Sequence, residues 1–433
     1  MEWWVILIIT GVLLMSFFLS GLEVAFAFFL FNIIATLIWM GPQGLGLLAK
    51  TIFPSIGCFA MVAVPMFIFM GELMFRTGIA TVMIDGIAVW IGRIRGSLSL
   101  IAVAAGTLFG TMSGASMSSV AVLGSTLVPE MRKQGYSKEM SIGPILGAGG
   151  LAMIVPPTIL GIILANLAKL SVGKFLIACI FPGLVMGGMY TAYIIGRAYL
   201  QPHLAPHYAP PDVTWSKRLR ALVSILPLTL LIFLVLGVVF IGVATPTEAA
   251  ALGVSGAFIL AFAYRRLNWE TVKESVLETV KVTSMMLLII AGSLTFSQIL
   301  AYTGAAAALV NMASNLSVSP ILVVIAMQCM LLLLGTFIDG ISMMMITVPL
   351  YFPVIMAMGF DPYWFAVIML VNIEMGTTSP PFGVLLFVMK GLIPDASMKD
   401  IYLAGIPFIL CDICSIAIFM IFPIVVLWLP SMM

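Results

Sequence analysis

Apolar residues run through this chain in stretches of about 20, the length a helix needs to cross a bilayer. Uninterrupted stretches fall at about 3–20, 21–40, 56–75, 174–198, 221–242, 246–264, 282–302 and 403–429, and each predicts a transmembrane helix. Four further regions have the same character but are cut in the middle by Gly, Ser, Thr or Pro. Residues 97–131 and 319–357 each read as two half-length arms joined at a polar tip, a re-entrant helical hairpin. Residues 140–166 and 363–389 each read as a helix broken at a Pro-Pro pair. In hydrocarbon a broken helix leaves N–H and C=O groups without partners, which is tolerated only where the break is buried in protein or lines a cavity. The pattern predicts an all-α polytopic membrane protein with ten crossings and two hairpins. Segments 79–95, 268–281 and 304–316 mix polar and apolar positions and predict interfacial helices lying along the membrane.

The interrupted regions form two copies of one pattern. Gly110-Thr111-Met112-Ser113-Gly114-Ala115-Ser116 opens the first, and Val155-Pro156-Pro157-Thr158 closes it. Gly335-Thr336-Phe337-Ile338-Asp339-Gly340-Ile341-Ser342 opens the second, and Ser379-Pro380-Pro381-Phe382 closes it. Pro129 and Pro353, Gly135 and Gly359, and Pro156 and Pro380 are each 224 residues apart; Gly110 and Gly335 are 225 apart. A repeat of this kind is an internal duplication. Paired interruptions at matching positions of two halves point to a transporter's binding site.

Charge sets the sidedness. Arg93, Arg95, Arg132, Lys133 and Lys138 flank the first hairpin, whereas no Lys or Arg occurs from Thr303 to Met389. By the positive-inside rule the first hairpin enters from the cytoplasm and the second from the opposite face. Lys50, Lys169 and Lys174 run against this count. Two inverted-topology repeats result, 1–200 and 218–433, joined by a Pro-rich cytoplasmic linker at 201–217.

Composition agrees with a bilayer as solvent: 62% of the 433 residues are hydrophobic and 8% are charged, against about 25% charged in soluble domains. A net charge of +2 gives no reason to expect nucleic acid. The five cysteines, including Cys411 and Cys414 in a continuous apolar run, read as packing residues. His203 and His207 lie in the linker without companion ligands, so no transition-metal site is expected. No phosphate-cradling GxxxxGK[ST] and no catalytic triad occurs, which excludes an ATP-driven pump and leaves an enzyme without support.

The chemistry sits at the tips and breaks. Ser113, Ser116, Ser118 and Ser119 cluster at the first tip, and Asp339, Gly340 and Ser342 at the second. Thr158 follows one break; Thr377, Thr378 and Ser379 occupy the other. Carbonyl and hydroxyl oxygens suit a hard cation, and half-helix N-termini suit an anion. Pro157 and Pro381 are expected in the first turn of each resuming helix. Asp339, an acid at membrane depth, either coordinates cargo or caps the following arm. Glu374, just before the second break, is a candidate to support a cation; Glu72, Glu248 and Asp412 carry no clear signal.

On Gly110–Ser119, Gly147–Gly161, Gly335–Ser342 and Met375–Gly383, the chain resembles the large membrane subunit of TRAP transporters, the tripartite ATP-independent periplasmic family. The likeness extends over essentially its whole length. It implies an elevator-type, sodium-driven importer of organic acids (carboxylate or sulfonate) in a bacterial inner membrane. It also implies a small four-helix membrane subunit and a periplasmic substrate-binding protein as partners. Carried onto this sequence, one sodium site takes Ser113, Ser116, Ala152, Val155 and Pro157. The other takes Ile338, Gly340, Gly376, Thr377, Ser379 and Pro381. Ser116, Thr158, Asp339, Ser342 and Thr378 are the substrate candidates. Two alternatives share parts of the pattern: a stand-alone divalent-anion/sodium symporter, and a membrane subunit of a sodium-pumping enzyme complex.

Overall fold

A computed structural model of the chain describes residues 2–91, 94–113, 116–206 and 214–433. Among them there is no β-strand. Arg93, Gly114, Ala115, His207 and the rest of 207–213 lie outside the described residues, as does the side chain of Ser113.

The first part of the chain forms α1 (Trp3–Leu19), α2 (Val24–Trp39), α3 (Leu45–Ile56), α4 (Ala63–Arg76) and α5 (Ile79–Ile91). The first hairpin is α6 (Ser97–Ser113) and α7 (Ser116–Lys133), followed by the broken helix α8 (Lys138–Ile154) and α9 (Ile159–Leu167). Then come α10 (Val172–Ala178), α11 (Ile180–Leu200), α12 (Trp215–Phe240), α13 (Pro246–Ala263), α14 (Trp269–Tyr302) and α15 (Ala305–Ser314). The second hairpin is α16 (Pro320–Gly335) and α17 (Gly340–Ala357), and its broken helix is α18 (Pro362–Thr378) and α19 (Val384–Leu392). The chain ends with α20 (Met398–Ile421) and α21 (Ile424–Leu427).

Among the described residues six helical stretches, α10 and α11 together being one, are long and apolar enough to span a bilayer, or seven when α8 and α9, bent by 43°, count as one span. One of the six is α17, which the sequence pattern reads as a half-length arm. The other expected crossings fall in helices shorter than 18 residues, such as α1, α2 and α4. Two expectations are corrected. Residues 268–281 do not form a separate helix; after the N-cap Asn268 they are the first turns of the 34-residue α14, which runs on without a break because Glu and Lys are good helix formers. Residues 45–56, which carry no predicted span, form α3. Segments 79–95 and 304–316 do form short separate helices, α5 and α15.

The helices sort into two packed groups. In one, α8 lies against α6, α7, α18 and α20, and α18 lies against α16 and α17. Both α8 from Met140 to Ile154 and α18 from Trp364 to Thr378 are buried along their whole length. In the other, α4 packs on α13 and α14, and α14 also on α2 and α3. Between membrane helices there is no hydrophobic drive, so close backbone packing does the work and small residues mark it. A Cβ on Gly106 would lie 2.4 Å from that of Ala148, and one on Gly147 would lie 2.4 Å from the Phe408 ring. The outer faces of α12 and α13 expose Leu230, Phe233, Ile259 and Phe262, as lipid-facing helices do.

Candidate functional site

Proline chemistry builds both breaks in the same way. In an α-helix the carbonyl of residue i accepts from the N–H of residue i+4, and proline has no N–H. Pro156 and Pro157 therefore deny helical donors to the carbonyls of Ala152 and Met153. Pro380 and Pro381 do the same to Gly376 and Thr377. Both Pro-Pro bonds are cis. The helices stop there: α8 at Ile154 and α18 at Thr378.

Local groups satisfy part of what is left. The Thr158 hydroxyl donates to the Met153 carbonyl and accepts from the Gly161 N–H at 3.3 Å, so Thr158 is the N-cap of α9. At the second break the Gly376 carbonyl accepts from the Ser379 N–H at 3.3 Å. The hydroxyls of Thr378 and Ser379 both donate to the Met375 carbonyl, at 3.0 and 2.7 Å. The Thr377 hydroxyl donates to the Glu374 carbonyl at 2.7 Å. The carbonyl oxygens of Thr377 and Ser379 both lie close to Gly383: a Cβ there would stand 2.6 and 2.8 Å from them. Only glycine leaves that space, and its N–H donates to the Ser379 carbonyl at 3.0 Å.

Each hairpin arm also touches its broken helix through small residues. A Cβ on Gly110 would lie 2.0 Å from that of Ala152, and one on Gly335 would lie 2.8 Å from the Cα of Gly376. The structure thus brings each hairpin against the residue four before the first proline of its neighbouring Pro-Pro pair, Ala152 and Gly376.

A cavity of about 380 Å³ opens where these parts meet. Ser116, Asp339, Gly340 and Thr377, all predicted from sequence, line it. Ala152, Val155, Pro157, Thr158, Ile338, Ser342, Gly376, Thr378, Ser379 and Pro381 do not line it. Val155 instead packs against Gly183, and the Pro381 carbonyl accepts from the Tyr402 hydroxyl at 2.9 Å. Pro157 and Pro381 are not in the first turn of the resuming helices, as expected from sequence. They lie inside the breaks, because Thr158 and Gly383 take the N-cap positions of α9 and α19. Asp339 is the N-cap of α17: its carboxylate accepts from the N–H groups of Ile341 at 3.0 Å and Ser342 at 3.2 Å, and from the Ser342 hydroxyl.

Two cavity residues escape the sequence reading. Glu72 of α4 and Glu278 of α14 both line the cavity. Their only signal is an acid beside an apolar run, which also describes an interfacial helix. Arg76 pairs with Glu72 at 3.2 Å and also with Glu274, tying α4 to α14. Glu374 does not reach the cavity. Its carboxyl group packs on Gly150, 1% exposed, with no hydrogen-bond partner for either oxygen. On α20, Asp412 is equally buried and accepts from the Tyr190 hydroxyl.

Two hairpins set against two broken helices around a cavity, within a bundle of membrane-spanning helices, define a multi-pass membrane transporter. The chain belongs to the DctM component family of tripartite ATP-independent periplasmic transporters, whose model matches residues 3–425. It is 32% identical over 402 residues to the C4-dicarboxylate TRAP transporter large permease protein DctM of Pseudomonas aeruginosa, covering 92% of each chain. It is 29% identical over 375 residues to the ectoine TRAP transporter large permease protein TeaC of Halomonas elongata, covering 86% of each. Its fold is similar to that of the Alcanivorax borkumensis YdaH transporter, with a TM-score of 0.64 over 88% of each chain at 15% identity.

Proposed function

We propose that this chain is the translocating subunit of a sodium-driven importer of organic acids. It would work in the bacterial inner membrane with a small four-helix membrane subunit and would receive cargo from a periplasmic binding protein. The observation that carries this reading is the cavity between both hairpin tips, the second break and the α4–α14 wall. Sodium would be held mainly by backbone oxygens: Ala152 with Ser116 at the first break, and Gly376, Thr377 and Ser379 at the second. The two packed groups suggest an elevator, with α6–α9 and α16–α19 carrying cargo past α4 and α14. Residues 1–200 and 218–433 would be inverted halves, so that each break is reached from one side in turn. Carboxylates and sulfonates are the cargo classes this reading admits.

Uptake into proteoliposomes should require an inward sodium gradient, with more than one ion per substrate because the carbonyl cluster is duplicated. An imposed potential of 100 mV should then contribute about 2.3 kcal/mol per net charge moved. Equal uptake driven by protons in sodium-free buffer would refute the coupling.

A further inference from the structure

Hydroxyls on membrane helices commonly bond back to their own backbone. Along α14 the Ser275, Thr279 and Thr295 hydroxyls each donate to the carbonyl four residues earlier, at 2.7 to 2.8 Å. Ser293 does otherwise. Its hydroxyl crosses to α17 and donates to the Met345 carbonyl at 3.0 Å, and both residues are fully buried.

The reason lies in α17. In a helix the Met345 carbonyl would accept from the N–H of residue 349. That residue is Pro349, inside the helix, and proline has no N–H. A carbonyl left without a donor away from water is costly, and Ser293 supplies the missing hydrogen. The donor's own place is fixed from the other side. The neighbouring Gly292 carbonyl accepts from the Asn32 amide of α2 at 2.7 Å, and Gln298 accepts from the Thr51 hydroxyl of α3 at 2.5 Å. The Ser293 bond therefore joins the group of α2, α3, α4 and α14 to the hairpin that carries Asp339 and Gly340.

The first half of the chain lacks both parts of this device. Thr77-Gly78 follows α4 as Thr303-Gly304 follows α14. Ten residues before that threonine, α4 has Phe67 where α14 has Ser293. On the first hairpin, Ser125 stands 224 residues before Pro349, the spacing that separates Pro129 from Pro353. The bond is thus one-sided.

We propose that Ser293 is a positioning residue for the transport cycle: its hydroxyl latches the moving unit in the position seen here, by giving Met345 the hydrogen that Pro349 denies it. The inference rests on the reading of α6–α9 and α16–α19 as a unit that slides past α4 and α14. A slide of one helical turn, about 5.4 Å, breaks the bond. Ser293 can then bond back to its own helix as its neighbours do, but the Met345 carbonyl is left without its donor. That difference favours the latched position.

The test is single-molecule fluorescence transfer on the transporter purified with whatever chains accompany it, in nanodiscs and sodium-free buffer. Cys58, Cys329, Cys411 and Cys414 are replaced by serine, and buried Cys179 is kept. Dyes are attached at Val243→Cys, between α12 and α13, and at Ala357→Cys, at the end of α17; both positions are exposed. This background should show two transfer levels, one matching the separation in this structure. Ser293→Ala should lower the ratio of that level to the other by about threefold or more, the scale of a hydrogen bond between membrane helices. Pro349→Ala restores a helical N–H to Met345, so Ser293→Ala added to it should change the ratio by less than about twofold, the two sites being coupled. An unchanged ratio in Ser293→Ala, or the same shift with and without Pro349→Ala, would overturn the latch and leave the sliding unit standing. A single transfer level in every variant would remove both.

Discussion

At the scale of single residues, Asp339 shows how burial and bonding narrow a role. An acid at membrane depth is costly, about 2.5–3.5 kcal/mol on insertion scales, and so attracts a functional reading. In the fold both of its carboxylate oxygens are already taken, by two amide N–H groups and the Ser342 hydroxyl. Asparagine caps nearly as well as aspartate, whereas alanine does not. Asp339→Asn is therefore expected to fold normally and to keep uptake within a few-fold of wild type. Asp339→Ala should lose about 1 kcal/mol of stability, seen as a lower unfolding temperature in detergent. A near-complete loss of uptake in a well-folded Asn variant would return Asp339 to the list of cargo ligands.

Between elements, the decisive contacts are those where an arm meets a broken helix without side chains between them. Gly335 and Gly376 touch backbone to backbone, and a Cβ on either would stand under 3.0 Å from the other's Cα. Gly335→Ala must push α16 away from α18 or strain both. It is expected to cost about 1–3 kcal/mol, as overpacking does, and to raise the sodium concentration for half-maximal uptake. Gly188→Ala, with nothing within 4 Å of the added carbon, is the control and should be neutral or slightly stabilising. If Gly335→Ala lowers stability but leaves the sodium dependence untouched, the contact is only packing.

For the whole molecule, the proposal of inverted halves turns on the side from which each hairpin enters. Gly135 and Gly359 mark the matching turns, but both have left-handed φ, +80° and +77°, where a cysteine would be strained. The exposed neighbours Gln134 and Ala357 serve instead. In cells, Gln134→Cys should react only with reagent reaching the cytoplasm, and Ala357→Cys only with impermeant reagent outside. Labelling of both from one face would contradict the charge-based topology.

The sequence by itself determined where helices have to stop, because those stops are local events. Two adjacent prolines remove N–H donors from the carbonyls four residues earlier wherever they occur, so the breaks at Pro156-Pro157 and Pro380-Pro381 were marked without any fold. Long apolar runs and polar tips were legible for the same reason. Only the tertiary structure decided which groups share a space. Glu278 reads locally as one charge on an amphipathic helix; it reaches the cavity because α14 continues unbroken past it and packs on α4. The partners of Arg76, Glu72 and Glu274, lie 4 and 198 residues away from it. Pro157 and Pro381 were displaced from helix starts into the breaks by caps one and two residues on, at Thr158 and Gly383. Hydropathy averages over neighbours in sequence, whereas the cavity is made by neighbours in space, and helix crossings bring together residues no local pattern connects.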